Sequence, residues 1–387
     1  MSRYYSYLNT AKEVIASYKG EIPLAVWLKQ CFAIRTQMGG RDRREVAAMI
    51  YQYCRLGNAI DAPIEERMAI ALFLCRHESS ELLKLLKPAW NEQITCPIKQ
   101  KLALIEAFNY THIFPFVEEM DEDINKETFC LSHLVQPDLF IRIRPKYEAI
   151  VKRKLLESGI SFIDLNNDCL SCSNTTALDA VLITDKEIVI QDYASQQVAT
   201  FLSPLKNIRN VWDCCAASGG KAILAVDILG KINLTLSDVR PTIITNLRKR
   251  LNKAGINQNK VFAADITKPI AELKGEKFDL IICDAPCTGS GTWGRTPESL
   301  LSFKKESINQ YAQLQKKIVG NALNYLAANG YFLYITCSVY KAENDAIVSF
   351  ILEKFPHVTL VTKQLISGYS KKADTMYAAL FSVSSKQ

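Results

Sequence analysis

The sequence predicts an α/β protein: an open parallel sheet with helices on both faces, preceded by a small α+β part and an all-α N-terminal part. Two textures and the transition between them carry this prediction. From about residue 3 to 130 apolar positions recur every three or four residues, as at Val46, Ile50, Tyr53 and Cys54, which is the period of packed helices. From Ile208 onward apolar strands at Val211, Leu234 to Ser237, Val261 to Ala263, Phe278 to Cys283 and Tyr331 to Thr336 alternate with helical stretches. Such alternation implies parallel strands joined by helical crossovers. Between Pro137 and about Leu202 short β-rich pieces surround one amphipathic segment. The expected domains are therefore residues 1–130, 131–205 and 206–387.

In the helical part, Gly39 to Arg44 breaks one helix and starts the next, with Asp42 expected as the N-cap, and Pro63, Pro88 and Pro97 mark later helix starts. The acidic stretch Glu118 to Asp123 reads as a surface loop. In the middle part, Leu139 to Ile143 and Glu187 to Gln191 read as strands and Tyr147 to Ser158 as a helix. Residues 141–154 hold six basic side chains, Arg142, Arg144, Lys146, Lys152, Arg153 and Lys154, against the acid Glu148. That run reads equally well as a solvated helix face or as an RNA contact.

Composition narrows the classes. At 387 residues, 48% apolar and 22% charged, the chain is long enough for two or three ordinary globular units. No apolar run approaches the roughly 18 residues of a membrane span, and the N-terminus lacks the pattern of a secretory signal, so a cytoplasmic protein without a membrane partner is expected. The twelve cysteines lack framework spacing and read as thiols. A lone Cys169-x-x-Cys172 is weak ground for zinc, so no metal is expected. A net charge of +7 and a pI near 8.7 suit a polyanionic partner without requiring one.

The first strand of the sheet ends in D-C-C-A-A-S-G-G-K, residues 213 to 221, and runs directly into a helix. Small residues and paired glycines let a ligand approach the backbone, and the helix start offers unpaired N–H groups to a carboxylate or phosphate. The spacing matches neither a nucleoside triphosphate loop nor G-x-G-x-x-G. The next strands end at Asp238, where a carboxylate can accept from ribose hydroxyls, at Asp265, where an adenine amino group could be read, and at Asp284. Acids at three successive strand ends suit a cofactor with a cationic centre and no phosphates, which describes S-adenosylmethionine. The plainer alternative is that Asp238 and Asp265 cap helices.

Two cysteines fall at adjacent strand ends: Cys287 in D-A-P-C-T-G-S-G-T, residues 284 to 292, and Cys337 in T-C-S, residues 336 to 338. Cys283 and most of the others read as small buried apolar residues. A thiolate added to carbon 6 of cytosine makes carbon 5 nucleophilic enough to accept a methyl group from a sulfonium, and loss of the carbon 5 proton then expels the thiolate. Spacing says only that one of the pair attacks.

The series D-C-C-A-A-S-G-G-K, L-S-D, A-A-D, D-A-P-C-T-G-S-G and T-C-S-V-Y-K-A-E-N resembles the RsmB/Sun-type RNA cytosine-5 methyltransferases over about residues 135 to 385. I-Q-D-Y-A-S-Q-Q, residues 190 to 197, resembles the family's approach to its catalytic core. D-R-R-E-V-A-A-M-I-Y-Q-Y-C-R-L-G, residues 42 to 57, looks more loosely like a NusB-type RNA-binding domain. The resemblance implies a Rossmann-like S-adenosylmethionine-dependent methyltransferase domain, with Cys337 as nucleophile and Cys287 assisting product release. It implies a cofactor set of Cys215, Ala216, Ala217, Ser218, Gly219, Gly220, Lys221, Asp238, Asp265 and Asp284. The family usually has proline at the position of Ser218 and a bulky aliphatic residue at Cys214; serine is expected to loosen the loop slightly.

The implied substrate is RNA, 16S ribosomal RNA first and transfer RNA as the same-class alternative, with the target base unpaired or flipped and no obligate protein partner. Arg248, Lys249, Arg250 and Lys253 are expected to hold its backbone, while Trp293 and Arg295 read equally as a base-stacking platform or, for Trp293, as core. A catalytically silent RNA-binding assembly factor, or an enzyme acting on a small molecule, would share the fold but not the need for both cysteines.

Overall fold

The computed structural model describes residues 3–166 and 168–383. By contact the chain forms two units: residues up to 136 together with Thr292–Lys305, and Pro137–Gly291 together with Glu306 to the C-terminus. The small α+β region thus shares a unit with the large sheet.

The first unit is helical, with its longer helices at Arg3–Ser17, Leu24–Ala33, Gly40–Arg55 and Ile64–Cys75. In Gly40–Arg55 the buried stripe is Val46, Met49, Ile50 and Cys54, while Tyr53 is partly buried with the Arg67 guanidinium 4.8 Å from its ring centre. Asp42 is not the N-cap: the helix starts three residues earlier than its charge pattern suggests, which puts Asp42 at its third position. Gly39 holds the cap position, and the Asp42 carboxylate accepts from the Gly39 N–H at 3.0 Å and from the Tyr7 hydroxyl. Pro63 and Pro97 directly precede helices and Pro88 opens one. The acidic stretch lies only partly at the surface, since Met120 and Asp121 are buried and Glu118 and Glu119 pair with Lys305.

Segment Thr292–Lys305 settles the reading of Trp293. Its ring is 3% exposed, lying 5.0 Å from Phe114 and 4.7 Å from Phe303, so it is core and presents no face to a base. In the same segment Glu298 accepts from the Leu24 N–H at 3.1 Å, supplying a cap that Pro23 cannot provide.

His133 is buried between Phe114 and Phe129, and its Nδ1 lies 2.9 Å from the Phe129 carbonyl. Burial lowers its pKa from 6.5 to about 4. The unfolded chain therefore takes up a proton near pH 6.5 that the folded chain refuses until about pH 4. This contribution to stability is complete above that window and is lost as pH falls through it, by on the order of 3 kcal/mol in total. Urea unfolding at neutral and mildly acidic pH should show this loss, and His133→Gln should shrink it.

The second unit opens with a four-stranded antiparallel sheet of β1 (Leu139–Ile143), β2 (Phe162–Asn166), β3 (Cys169–Cys172) and β4 (Ile188–Ile190), ordered β2-β3-β1-β4. The Cys169-x-x-Cys172 run is β3 itself; side chains three apart on a strand face opposite ways, so the two thiols do not converge on an ion. The basic run 141–154 is largely spent inside this unit. Arg142 and Arg144 reach Asp227, on helix Gly220–Leu229, at 2.7 and 2.8 Å. Lys154 pairs with Glu187 and Lys152 with Asp164.

The large sheet comprises β5 (Asn210–Asp213), β6 (Asn233–Asp238), β7 (Lys260–Ala263), β8 (Phe278–Asp284), β9 (Leu326–Thr336), β10 (Val358–Ile366) and β11 (Met376–Val383). Their order is β10-β11-β9-β8-β5-β6-β7. The strands β5 to β9 run parallel as expected, but β11 pairs antiparallel with β9 and β10 with β11, so the sheet is mixed rather than all-parallel. Apolar clusters cover both faces: Val211, Leu236, Leu280 and Ile335 on one, Trp212, Ile281, Phe332 and Tyr334 on the other. The chain's winding reverses between β5 and β8, and in such sheets the carboxyl ends of the strands at that point open a crevice for ligands. Among the described residues no helix is long and apolar enough to cross a membrane.

Candidate active site

The turn after β5 is shaped by its backbone. Ala217 and Gly219 both take left-handed φ angles, +45° and +84°, and a Cβ on Gly219 would stand 2.5 Å from a Leu247 methyl group. This close approach seats the loop on helix Pro241–Lys253 and aims the free N–H groups at the start of Gly220–Leu229 toward the crevice. Ser218 does not loosen the loop: its carbonyl and its hydroxyl each accept from Arg250 at 3.0 Å. Arg250 also pairs with Asp185 at 2.8 Å and Arg248 donates to the Val261 carbonyl, so these two arginines are structural ties rather than open backbone contacts.

Asp238 is nearly buried, accepting from the Ala217 N–H at 3.0 Å and from the Arg240 guanidinium at 2.9 and 3.0 Å. Although burial acts to raise its pKa, these donors hold it below the usual carboxylate range. Arg240 is itself mostly solvent-exposed, so it can yield its place to ribose hydroxyls. Asp284 accepts from Lys221 Nζ at 3.0 Å, and the same ammonium donates to Ser195 at 2.8 Å. Asp265 is turned back into its own loop, accepting from the Thr267 N–H and hydroxyl at 3.1 and 2.7 Å. A helix start, a fixed carboxylate for hydroxyls and a second carboxylate held by Lys221 form a donor and acceptor set that fits an amino-acid-bearing nucleoside.

Beside this set, Cys287 Sγ stands 3.3 Å from Cys337 Sγ. The contact with Cys337 and burial push the Cys287 thiol well up, so at neutral pH Cys287 keeps its proton. The flanks of Cys337 are fixed. Thr336 donates to Asn344 at 2.7 Å, and Asn344 in turn donates to the Ser338 carbonyl at 3.0 Å. Gly291 N–H donates to the Cys337 carbonyl at 2.8 Å, and a Cβ on Gly291 would lie 2.0 Å from the Thr375 carbonyl oxygen, so only glycine fits.

Sequence reasoning missed the group that joins the two cysteine loops. Glu343 is fully buried, and its carboxylate accepts from the Thr288 N–H at 2.9 Å, the Thr288 hydroxyl at 2.6 Å, the Ser338 hydroxyl at 2.5 Å and the Gln315 amide at 3.0 Å. One carboxylate thus bonds the residue after each cysteine. Burial raises its pKa despite these donors. The signal was present in K-A-E-N, where an acid follows the T-C-S strand end by only a few residues. Ser195 was likewise inside the quoted I-Q-D-Y-A-S-Q-Q run without an assigned role.

Residues 199–382 match the family of 16S rRNA methyltransferases RsmB/F. The chain is 33% identical over 159 residues to the ribosomal RNA small subunit methyltransferase B of Xylella fastidiosa, covering 41% of this chain and 37% of that protein. It is 26% identical over 235 residues to the probable counterpart of Bacillus subtilis, covering 59% and 52%. These matches therefore span about half or less of each relative, 37% and 52% of its length. Among solved structures, PH0851 superposes over 98% of both chains with a TM-score of 0.72 at 19% identity. NSun6 from Pyrococcus horikoshii superposes over 68% of this chain and 97% of its own with a TM-score of 0.56 at 14% identity. At such identities the structural likeness is one of fold.

Proposed function

We infer, from the membership of residues 199–382 in the RsmB/F family of 16S rRNA methyltransferases, that this chain methylates carbon 5 of a cytosine in RNA through a covalent adduct of Cys337. The observation that carries the reading is the 3.3 Å pair, in which Cys287 keeps its proton and can donate it toward Cys337. The contact lets one sulfur act on the other, and the family resemblance assigns Cys337 the attack and Cys287 the release.

The loop Cys215 to Lys221 together with Asp238 would hold S-adenosylmethionine, with Asp284 beside Lys221 and the more exposed Asp265 at the rim. When bound, that cofactor supplies a methyl group on a sulfonium. Cys337 Sγ adds to carbon 6 of the flipped base, and the electron pair released into the ring makes carbon 5 the nucleophile. After carbon 5 has gained the methyl group, loss of its proton reforms the double bond and expels Cys337 as a thiolate. Cys287, beside it, assists that release by protonating the leaving sulfur. Glu343 is the positioning group: its bonds to Thr288 and Ser338 keep the two sulfurs in register.

Small-subunit ribosomal RNA is the substrate the family membership favours, with transfer RNA as the alternative within the same chemistry. An open cleft of about 510 Å³ lined by Lys146, Lys186 and Lys253 provides positive charge for a phosphate backbone, and the helical unit, NusB-like in residues 42 to 57, is assigned a further RNA contact. Bisulfite sequencing of ribosomal and transfer RNA from cells with and without the gene tests the whole reading. One cytosine should lose its methylation, in 16S ribosomal RNA; loss confined to transfer RNA would change the substrate, and no loss anywhere would point to a silent assembly factor.

A further inference from the structure

Three cysteines outside the proposed catalytic pair converge behind the cofactor loop. Cys214 and Cys215 follow β5, Cys283 lies in β8, and the Cys214 N–H donates to the Ile282 carbonyl at 2.9 Å, which brings the two strand ends side by side. All three sulfurs lie within 4.8 Å of one another. Cys214 and Cys283 are buried against Trp212 and Ile281, whereas Cys215 is partly accessible.

Small apolar packing explains a single buried cysteine. It does not explain why three sulfurs meet, or what stands beside them. Asp213, fully buried and directly preceding Cys214, has no hydrogen-bond partner on either carboxylate oxygen. A buried carboxyl group left bare is costly unless a cation offsets it.

We propose that Cys214, Cys215 and Cys283 form a three-sulfur site for one thiophilic divalent ion of the zinc class, with its fourth position open on the side of Cys215. Thiolate sulfur selects soft and borderline ions, and zinc accepts three protein ligands with a water in the remaining place. On binding, each coordinating thiol releases its proton to solvent; no electron changes hands. The ion would tie the end of β5 to the end of β8 directly beneath the loop Cys215 to Lys221. Neither Cys169 and Cys172 nor Cys287 and Cys337 offers a third sulfur, so these pairs serve as internal controls.

The test uses the full reduced chain dialysed to equilibrium against zinc. Wild-type protein should retain one ion per chain, and X-ray absorption at the zinc edge should count three sulfur neighbours. Cys283→Ala, which keeps a small apolar side chain in a buried position, should weaken retention by more than about tenfold with an unchanged circular dichroism spectrum. The double variant Cys287→Ser with Cys337→Ser should retain zinc as wild type does. No retention by wild type, retention unaffected by Cys283→Ala, or retention lost with the Cys287 and Cys337 pair would overturn the proposal. Should Cys283→Ala fail to fold, the sulfur count on wild type decides alone, and two sulfurs or fewer would overturn it.

Discussion

Cys337→Ala should lower methyl transfer to RNA by more than about 1,000-fold, equivalent to roughly 4 kcal/mol or more of lost transition-state stabilisation, while cofactor binding is unchanged. The size follows from the chemistry: without addition at carbon 6, carbon 5 of cytosine is too weak a nucleophile, and no other group replaces a covalent bond. The selectivity follows from the fold. Cys337 belongs to the end of β9, whereas Ala217, Gly219 and Asp238 are set by β5, β6 and the helices behind them. Isothermal titration with S-adenosylhomocysteine and a single-turnover assay on RNA separate the two effects. Equal loss in both would mean that the substitution had disturbed the fold rather than the reaction.

The second large effect concerns stability. Asp227 is the common acceptor for Arg142 and Arg144, with side chains only 5%, 4% and 11% exposed respectively. Asp227→Ala would leave two buried guanidinium groups without the carboxylate they share. Breaking a buried ion pair from one side costs about 3–5 kcal/mol, because the remaining charge cannot recover its hydration. The melting temperature should fall steeply, and the loss should centre on the junction between the small sheet and helix Gly220–Leu229. Hydrogen exchange should localise it there, with protection lost first in β1 and β4. Arg153→Ala, by contrast, removes an exposed charge 3.9 Å from Glu157 and should change stability little.

These two predictions mark where the sequence was readable and where it was not. Strand ends β5 to β9 were legible because apolar runs stop at conspicuous residues: Asp213, Asp238, Ala263, Asp284 and Thr336. The edge strand β10 and its neighbour β11 carry no motif, since they lie beyond the last one, although the first six residues of β11, from Met376 to Phe381, are all buried. Charge was the least legible feature. Arg142, Arg144, Arg248 and Arg250 look alike in sequence, and only tertiary partners such as Asp227, Asp185 and the Val261 carbonyl reveal that they are ties within the fold. Trp293 stayed open between core and base stacking for a related reason, since a residue next to a reactive loop need not face it, and the structure makes it core. Glu343 was hidden because a carboxylate's importance depends on who donates to it, and its donors come from residues 288, 315 and 338.

The division of labour between Cys287 and Cys337 is the centre of the account. Full-length Cys287→Ala, incubated with ribosomal RNA and S-adenosylmethionine under reducing conditions, should hold the RNA as a covalent complex that migrates slowly on a denaturing gel. Digestion and mass spectrometry should then find the modified peptide at Cys337. A wild-type reaction should show little of that band if Cys287 assists release as proposed. If the complex instead formed in Cys337→Ala and mapped to Cys287, the two roles would be reversed; if neither variant formed it, the covalent route itself would be contradicted.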